Sequence, residues 1–115
     1  MLLYNVTVGI DKGVEQEWLQ WMKTEHMLDV LNTGMFKHAK IYRILHETEE
    51  DTVSYSVQYF AESINDVQRY LDEFAPSLRA EVDKRFQGKH VAFRTLLEEA
   101  WSNFLFSSYT LQPAG

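Results

Sequence analysis

The sequence contains no cysteine among its 115 residues. Disulfides, thiolate zinc sites, iron–sulfur clusters and thiol nucleophiles are therefore excluded. With five glycines and two prolines, the chain also lacks the composition of a collagen-like or low-complexity protein. What remains is an ordinary globular composition, and at this length one hydrophobic core is expected.

Positive charge is scarce as well. Eleven Lys and Arg are scattered among seventeen Asp and Glu, which gives a net charge of −6. Because no basic stripe is present to neutralise phosphates, nucleic acid is not expected as a partner. No apolar run approaches the roughly 18 residues of a membrane span, and the first residues lack the features of a signal peptide. We expect a cytoplasmic protein without a membrane partner.

The first predicted helix contains a conflict. Apolar residues from Val14 to Leu28 recur at helical spacing, but Glu25 falls in the middle of the same stripe with Asp29 beside it. A straight helix would aim two carboxylates at the core. We therefore predict a break near His26–Met27, then a short turn capped by Asp29 and closed at Gly34, where glycine suits the end of a helix.

The rest of the pattern predicts the element order βαββαβ. Period-two alternation indicates strands within residues 4–10, 35–47, 52–60 and 89–98. Ser63 starts the second helix, Pro76 kinks or splits it, and Gly88 marks its end. Two βαβ-like halves predict an α+β, ferredoxin-like domain over residues 1–98, with a four-stranded antiparallel sheet and both helices on one face.

The second face of this sheet needs a cover. We expect it to carry a mixed set of residues: Leu3, Asn5, Thr7, Ser54, Ser56, Gln58, Ala92, Arg94 and Leu96. Such a face suits a second sheet packed against it, which predicts a homodimer. The C-terminal extension, residues 99–115, is too apolar to remain free, and we expect it to pack on the domain or on the partner subunit.

Several motifs carry a resemblance to a known family. They are Tyr4-Asn5-Val6-Thr7-Val8, Trp18-x-x-Trp21-Met22 with His26, Asp29-Val30-Leu31-x-Thr33-Gly34, Tyr55-Ser56-Val57-Gln58-Tyr59 and Ala92-Phe93-Arg94-Thr95. In this order they resemble a bacterial family of domains of unknown function, family 4286, over residues 1 to about 98. Its members look like dimeric α+β-barrel proteins, in which two sheets close face to face across a twofold axis.

The wider superfamily implied by this resemblance has several activities. It includes cofactor-free monooxygenases, haem-degrading monooxygenases, lactone isomerases and small stress-response proteins, so the fold alone selects none of them. The haem-degrading branch uses an asparagine on strand one and a tryptophan and an iron-ligating histidine on helix two. Asn5 could match the first and Tyr70 stands near the second, but helix two has no histidine. No cofactor is expected.

Three residues are candidates for catalysis: His26, Asn5 and Arg94. His26 lies beside Glu25 and near Asp29. It is a candidate general base or ligand contact, and the alternative is a structural histidine that caps a helix end. Arg94 is predicted to point into the barrel interior, where it would hold a substrate carboxylate or make a structural hydrogen bond.

Candidates for ligand binding are Trp18, Trp21, Tyr55, Gln58 and Tyr70. The aromatic residues among them would line a cavity, or would be ordinary core. His38, His46 and His90 have no partners at a metal-ligand spacing, so no metal site is predicted.

Three functions remain open on the sequence alone. The first is a homodimeric small-molecule-binding or accessory domain without catalysis. The second is a cofactor-free monooxygenase or isomerase acting on a small aromatic or polar metabolite through Asn5, His26 and Arg94. The third is a protein-interaction module that uses the apolar extension.

Overall fold

A computed structural model describes residues 1–46 and 49–103 of the chain. It confirms the order βαββαβ and the four-stranded antiparallel sheet. The strands are β1 Leu2–Asp11, β2 His38–Arg43, β3 Thr52–Ala61 and β4 His90–Glu98. The helices are α1 Glu15–Trp21, α2 Met27–Leu31, α3 Ile64–Arg69 and α4 Ala75–Arg85.

The sheet has the strand order β2-β3-β1-β4 and buries one face under the helices. Alternate residues of β1 and β3 are buried, as the period-two pattern predicted. These residues pack against Trp18, Val30, Val67 and Phe86 from the helical layer, which forms the core. No helix in the described part of the chain is long and apolar enough to cross a membrane.

The predicted break near His26–Met27 is wrong, because the first helix continues over residues 15–31. A π turn, Met22–His26, joins α1 to α2. The wider turn changes the register of every residue after it, so Glu25 and Asp29 are exposed while His26 and Met27 are buried. Asp29 therefore lies inside the helix and does not cap a turn. Gly34 closes the segment with φ +82°, as predicted.

The predictions for the second helix agree better with the structure. Ser63 caps α3 by accepting a hydrogen bond from the Asp66 backbone N–H at 3.2 Å. A second π turn, Tyr70–Phe74, precedes α4, and Pro76 lies in the first turn of α4, where a missing N–H costs little. The helix is thus divided near Pro76, and Gly88 follows it with φ +74°.

The predicted faces of β4 are reversed. Ala92 pairs with Val8 and Arg94 with Val6, so both lie on the helix-covered face of the sheet together with Leu96. The sequence pattern predicts all three on the other face, and this prediction is wrong. Both faces of β4 carry apolar residues, and a slip of one residue exchanges them, so the sequence pattern did not determine the register.

The open face, defined here as the side of the sheet away from the helices, is rich in small polar groups. Asn5 on β1 and Ser56 on β3 are diagonal neighbours, and Ser56 Oγ donates to Asn5 Oδ1 at 2.6 Å. Asn5 Nδ2 donates to Thr7 Oγ1 at 2.9 Å, and Gln58 Nε2 donates to Ser56 Oγ at 3.1 Å. On β4 the same face exposes Val91, Phe93 and Leu97.

The C-terminal extension begins beside the first residue of the chain. The Glu99 N–H donates to the Met1 carbonyl at 3.0 Å, and Trp101 is 78% exposed. The expected packing of this extension concerns mainly residues 104–115, which lie outside the described residues.

Candidate functional site

A small cavity lies between the helices and the covered face of the sheet. Its volume is about 50 Å³. Both π turns contribute to its wall, because Met22 and His26 come from the first and Tyr70 from the second. The sheet supplies Tyr4, Tyr59 and Arg94. Since π turns are rare and frequently occur at functional sites, their convergence marks this cavity as the candidate site.

His26 is the buried polar residue of this site. Its side chain is 8% exposed and stacks on Trp21 with ring centroids 5.0 Å apart. Its Nδ1 has no hydrogen-bond partner among the described residues. Burial lowers the pKa of His26 to about 4, Asp29 opposes this shift, and the Arg94 guanidinium adds to it. The imidazole is therefore neutral at pH 7.

Tyrosines and an arginine form the opposite wall. Arg79 Nη2 donates to the Tyr4 hydroxyl at 2.9 Å. Burial raises the pKa of Tyr59 and of Tyr70, and the neighbouring Tyr4 raises both further. Arg79 and Arg94 act in the other direction on Tyr70. The phenols remain neutral at physiological pH and can donate hydrogen bonds.

A histidine–carboxylate pair lies at another part of the cavity wall. His90, at the start of β4, places Nε2 3.2 Å from Asp83 Oδ1 of α4. Its Nδ1 is buried without a partner in the described residues. This contact joins the last turns of α4 to β4, the strand that follows.

The structure divides the three catalytic candidates. His26 and Arg94 both line the cavity, but Arg94 reaches it from the helix-covered face and not from the barrel interior. This correction follows from the register of β4 on β1. Asn5 lies on the open face, on the other side of the sheet, within the hydrogen-bonded group that includes Ser56.

The five ligand-binding candidates are divided too. Trp18 and Tyr70 line the cavity. Trp21 borders it through its stacking on His26. Tyr55 supports Trp18, with ring centroids 5.0 Å apart, and donates its hydroxyl to Glu15 Oε2 at 2.5 Å. Gln58 lies on the open face with Asn5.

Sequence reasoning missed Arg79 and Asp83 altogether. Both come from α4, after the second π turn and Pro76. Arg79 contacts Tyr4, which lies 75 positions away in the sequence, so no pattern within the helix indicates this contact. The pairing of Asp83 with His90 spans seven positions across a turn, and no local spacing rule would reveal it.

Metal and haem chemistry receive no support from these residues. In the described ranges, no group of three or more His, Asp or Glu side chains could hold a metal ion. The second helix, residues 64–85, has no histidine, and Asn5 faces away from the cavity. A porphyrin is also far larger than a cavity of about 50 Å³. The residues present do not fit a haem group.

Comparison with known proteins places the chain in a family. The model of the domain of unknown function DUF4286 matches residues 1–100. The chain belongs to this family. Among proteins with curated descriptions, none matches this DUF4286 chain by sequence.

Solved structures similar to the DUF4286 chain share its fold at low identity. HapK from Hahella chejuensis is 9% identical with a TM-score of 0.67, over 90% of this chain and 97% of that one. SnoaB, a cofactor-independent oxygenase from Streptomyces nogalater, is 11% identical with a TM-score of 0.61, over 88% and 95%. A variant of MhuD solved with two manganese protoporphyrin IX molecules per active site is 17% identical with a TM-score of 0.65, over 90% and 99%. At such identities the likeness shows the fold alone.

Proposed function

We propose that this chain is a homodimeric small-molecule-binding domain whose ligand enters the cavity between the helices and the sheet. The observation that carries the proposal is the cavity wall, where the buried imidazole of His26 lies with the guanidinium groups of Arg79 and Arg94. A hydrogen bond between a ligand and one of these charged groups contributes about 1.5–3 kcal/mol, so a small polar ligand would gain from binding here.

The size of the cavity limits how a ligand can bind. Pockets for drug-sized molecules are roughly 300–1,000 Å³, well above the space enclosed here. The ligand is therefore small, or it places one polar end in the cavity and extends outward. Arg94 and Leu96 are exposed on the same face of β4, and the outer part of such a ligand could contact them.

A second candidate function is a cofactor-free monooxygenase or isomerase of the kind found in this fold. The observation that favours it is the pairing of a neutral imidazole with a nearby guanidinium, since His26 could accept a proton while Arg94 stabilised the resulting anion. If the unmodified chain converts a compound, His26→Gln and Arg94→Gln should each abolish that reaction while the chain stays folded. Unchanged turnover in both variants would exclude this role.

Filling the cavity should abolish ligand binding. Small aromatic probes, benzoate and benzamide at millimolar concentration, are expected to shift the NMR signals of Trp18 and His26 in the unmodified chain. Ala92→Phe places a larger side chain in the cavity wall and should remove these shifts. Its cost in stability, typically about 1–3 kcal/mol, leaves a folded protein to test.

The matched control is Ala80→Phe, which adds the same ring to an exposed position of α4. It should leave the probe-induced shifts in place. If neither probe shifts the two signals, or if Ala92→Phe retains the shifts, the cavity is not a ligand site.

The open face is the expected dimer interface. Val91, Phe93 and Leu97 are 72%, 63% and 45% exposed there, around a polar group that is already internally hydrogen-bonded. Two such faces packed together would bury these apolar side chains, while Asn5, Ser56 and Gln58 keep the hydrogen bonds that they make to one another. Light scattering should give about twice the chain mass of 13.5 kDa.

Phe93→Glu should convert this dimer to a monomer, because it buries two like charges across the twofold axis. Leu45→Glu is the control, since Leu45 is 79% exposed outside the sheet, and this variant should stay dimeric. A monomeric unmodified chain would contradict the homodimer, and a dimeric Phe93→Glu chain would contradict this interface.

A further inference from the structure

The charge of the cavity is opposite to that of the chain. The whole sequence has a net charge of −6, yet two guanidinium groups, Arg79 and Arg94, line this cavity. The single acidic residue in its wall, Asp83, lies against His90. Within residues 1–46 and 49–103, no carboxylate forms an ion pair with either arginine. The cavity therefore offers positive charge that no protein group neutralises directly.

The other polar groups of the wall do not oppose a negative ligand. Tyr59 and Tyr70 are neutral phenols, and His26 is neutral as well. Tyr4 already accepts a hydrogen bond from Arg79, which fixes one nitrogen of that guanidinium and leaves its other donors free to bind. An anion would thus meet two guanidinium groups and one carboxylate in the wall, and that carboxylate, Asp83, lies against His90.

The geometry of guanidinium and the shape of the wall narrow the ligand class. A guanidinium matches a carboxylate through two parallel hydrogen bonds, which a compact ammonium cannot provide. The remaining wall is apolar, with Trp18, Val57 and Val82 among its members, and its volume of about 50 Å³ admits only the charged end of a ligand. The apolar part of such a ligand would lie outside, on the exposed Leu96 of β4. A phosphate, with greater charge and no apolar part, would fit this wall poorly.

We propose that the cavity binds the carboxylate group of an organic acid, held by Arg79 and Arg94, while the apolar part of the ligand extends outward along the exposed Leu96 of β4. This inference rests on the proposed function, because it names the ligand class of the same site. It makes Arg94 the residue that selects an anionic ligand over a neutral one.

Calorimetric titration of the full-length chain with benzoate and with benzamide tests the inference. The two probes have nearly the same shape and differ in charge. Benzoate is expected to bind at least about tenfold more tightly, which is the effect of one hydrogen bond to a charged group. Arg94→Gln should remove this preference by weakening benzoate about tenfold while leaving benzamide unchanged.

Arg43→Gln is the matched control. It removes the same charge from β2, at the opposite edge of the sheet from β4, and should keep the preference for benzoate. The inference is overturned if the two probes bind equally, if benzamide is preferred, or if Arg94→Gln keeps the preference for benzoate. In each of these cases the cavity is still a binding site. Failure of both probes to bind overturns the proposed function together with the inference. The comparison on the unmodified chain decides the question even if a variant is unstable.

Discussion

Replacing Trp18 with alanine is expected to lower the free energy of unfolding by about 3–5 kcal/mol. Trp18 is 1% exposed and packs on Tyr55, at the point where α1 meets β3. Alanine would leave a large void beside a cavity that already exists, so neighbouring side chains could not close it without losing contacts elsewhere. The free energy of unfolding of a small domain is only about 5–15 kcal/mol, so Trp18→Ala should remove much of the stability of this chain. Urea unfolding followed by circular dichroism measures it.

Trp101→Ala is the matched control for this change. It removes the same side chain from a position that is 78% exposed, and a surface change of this kind should cost less than about 0.5 kcal/mol. Trp18→Phe should fall between the two, since the ring then fills part of the space. Replacing a buried tryptophan with alanine typically costs about 3–5 kcal/mol. If Trp18→Ala lowers the free energy of unfolding by less than about 1 kcal/mol, Trp18 is not part of the core of the domain.

The stability of the chain should fall as the pH drops from 6.5 to about 4, and His26 should cause a large part of that fall. Its pKa is about 4 in the folded chain, below the ordinary histidine value of 6.5, because burial disfavours the charged imidazole. Between these values the unfolded chain binds a proton that the folded chain does not, so protonation favours unfolding. The contribution is fully present above pH 6.5 and is lost on acidification, with a total of about 3 kcal/mol.

The experiment compares denaturant unfolding from pH 7 to pH 4 in the unmodified chain and in His26→Leu. Carboxylates titrate in the same range, so the quantity to examine is the difference between the two curves. This difference should change by about 3 kcal/mol across the interval. His46→Gln, which removes an exposed histidine, is the matched control. Parallel curves for the unmodified chain and His26→Leu would refute the assignment of a buried, neutral His26.

The sequence and the structure agree where a local pattern decides the outcome. Period-two alternation in β1 and β3 predicted which residues face the core, because a strand buried on one face must alternate. Ser63 and Pro76 predicted a helix start and a division of the second helix, since capping and the missing N–H act within one turn. The sequence also singles out His26, and the structure places it in the cavity wall, within a π turn and not at a helix break.

The candidate site was predicted only in part because it depends on two features that have no local signal. The conflict at Glu25 showed that a regular helix could not continue, but a break and a π turn both resolve it. The sequence offered no means to choose between them, and only the π turn brings His26 to the cavity while keeping α2 in line with α1. Arg79 was missed for the same reason, since the second π turn changes the register of α4.

By itself, the sequence determined the class of the fold, the order of its elements and the exclusion of thiol chemistry. Those properties follow from composition and from periodicities that each element carries within itself. The tertiary structure alone decided that Arg94 shares a face with His26 and that Asn5 does not. The physical reason is that β4 pairs with β1 along one edge only and is apolar on both sides. Its register, and with it the charge of the cavity, is therefore fixed by the packed sheet and not by the strand.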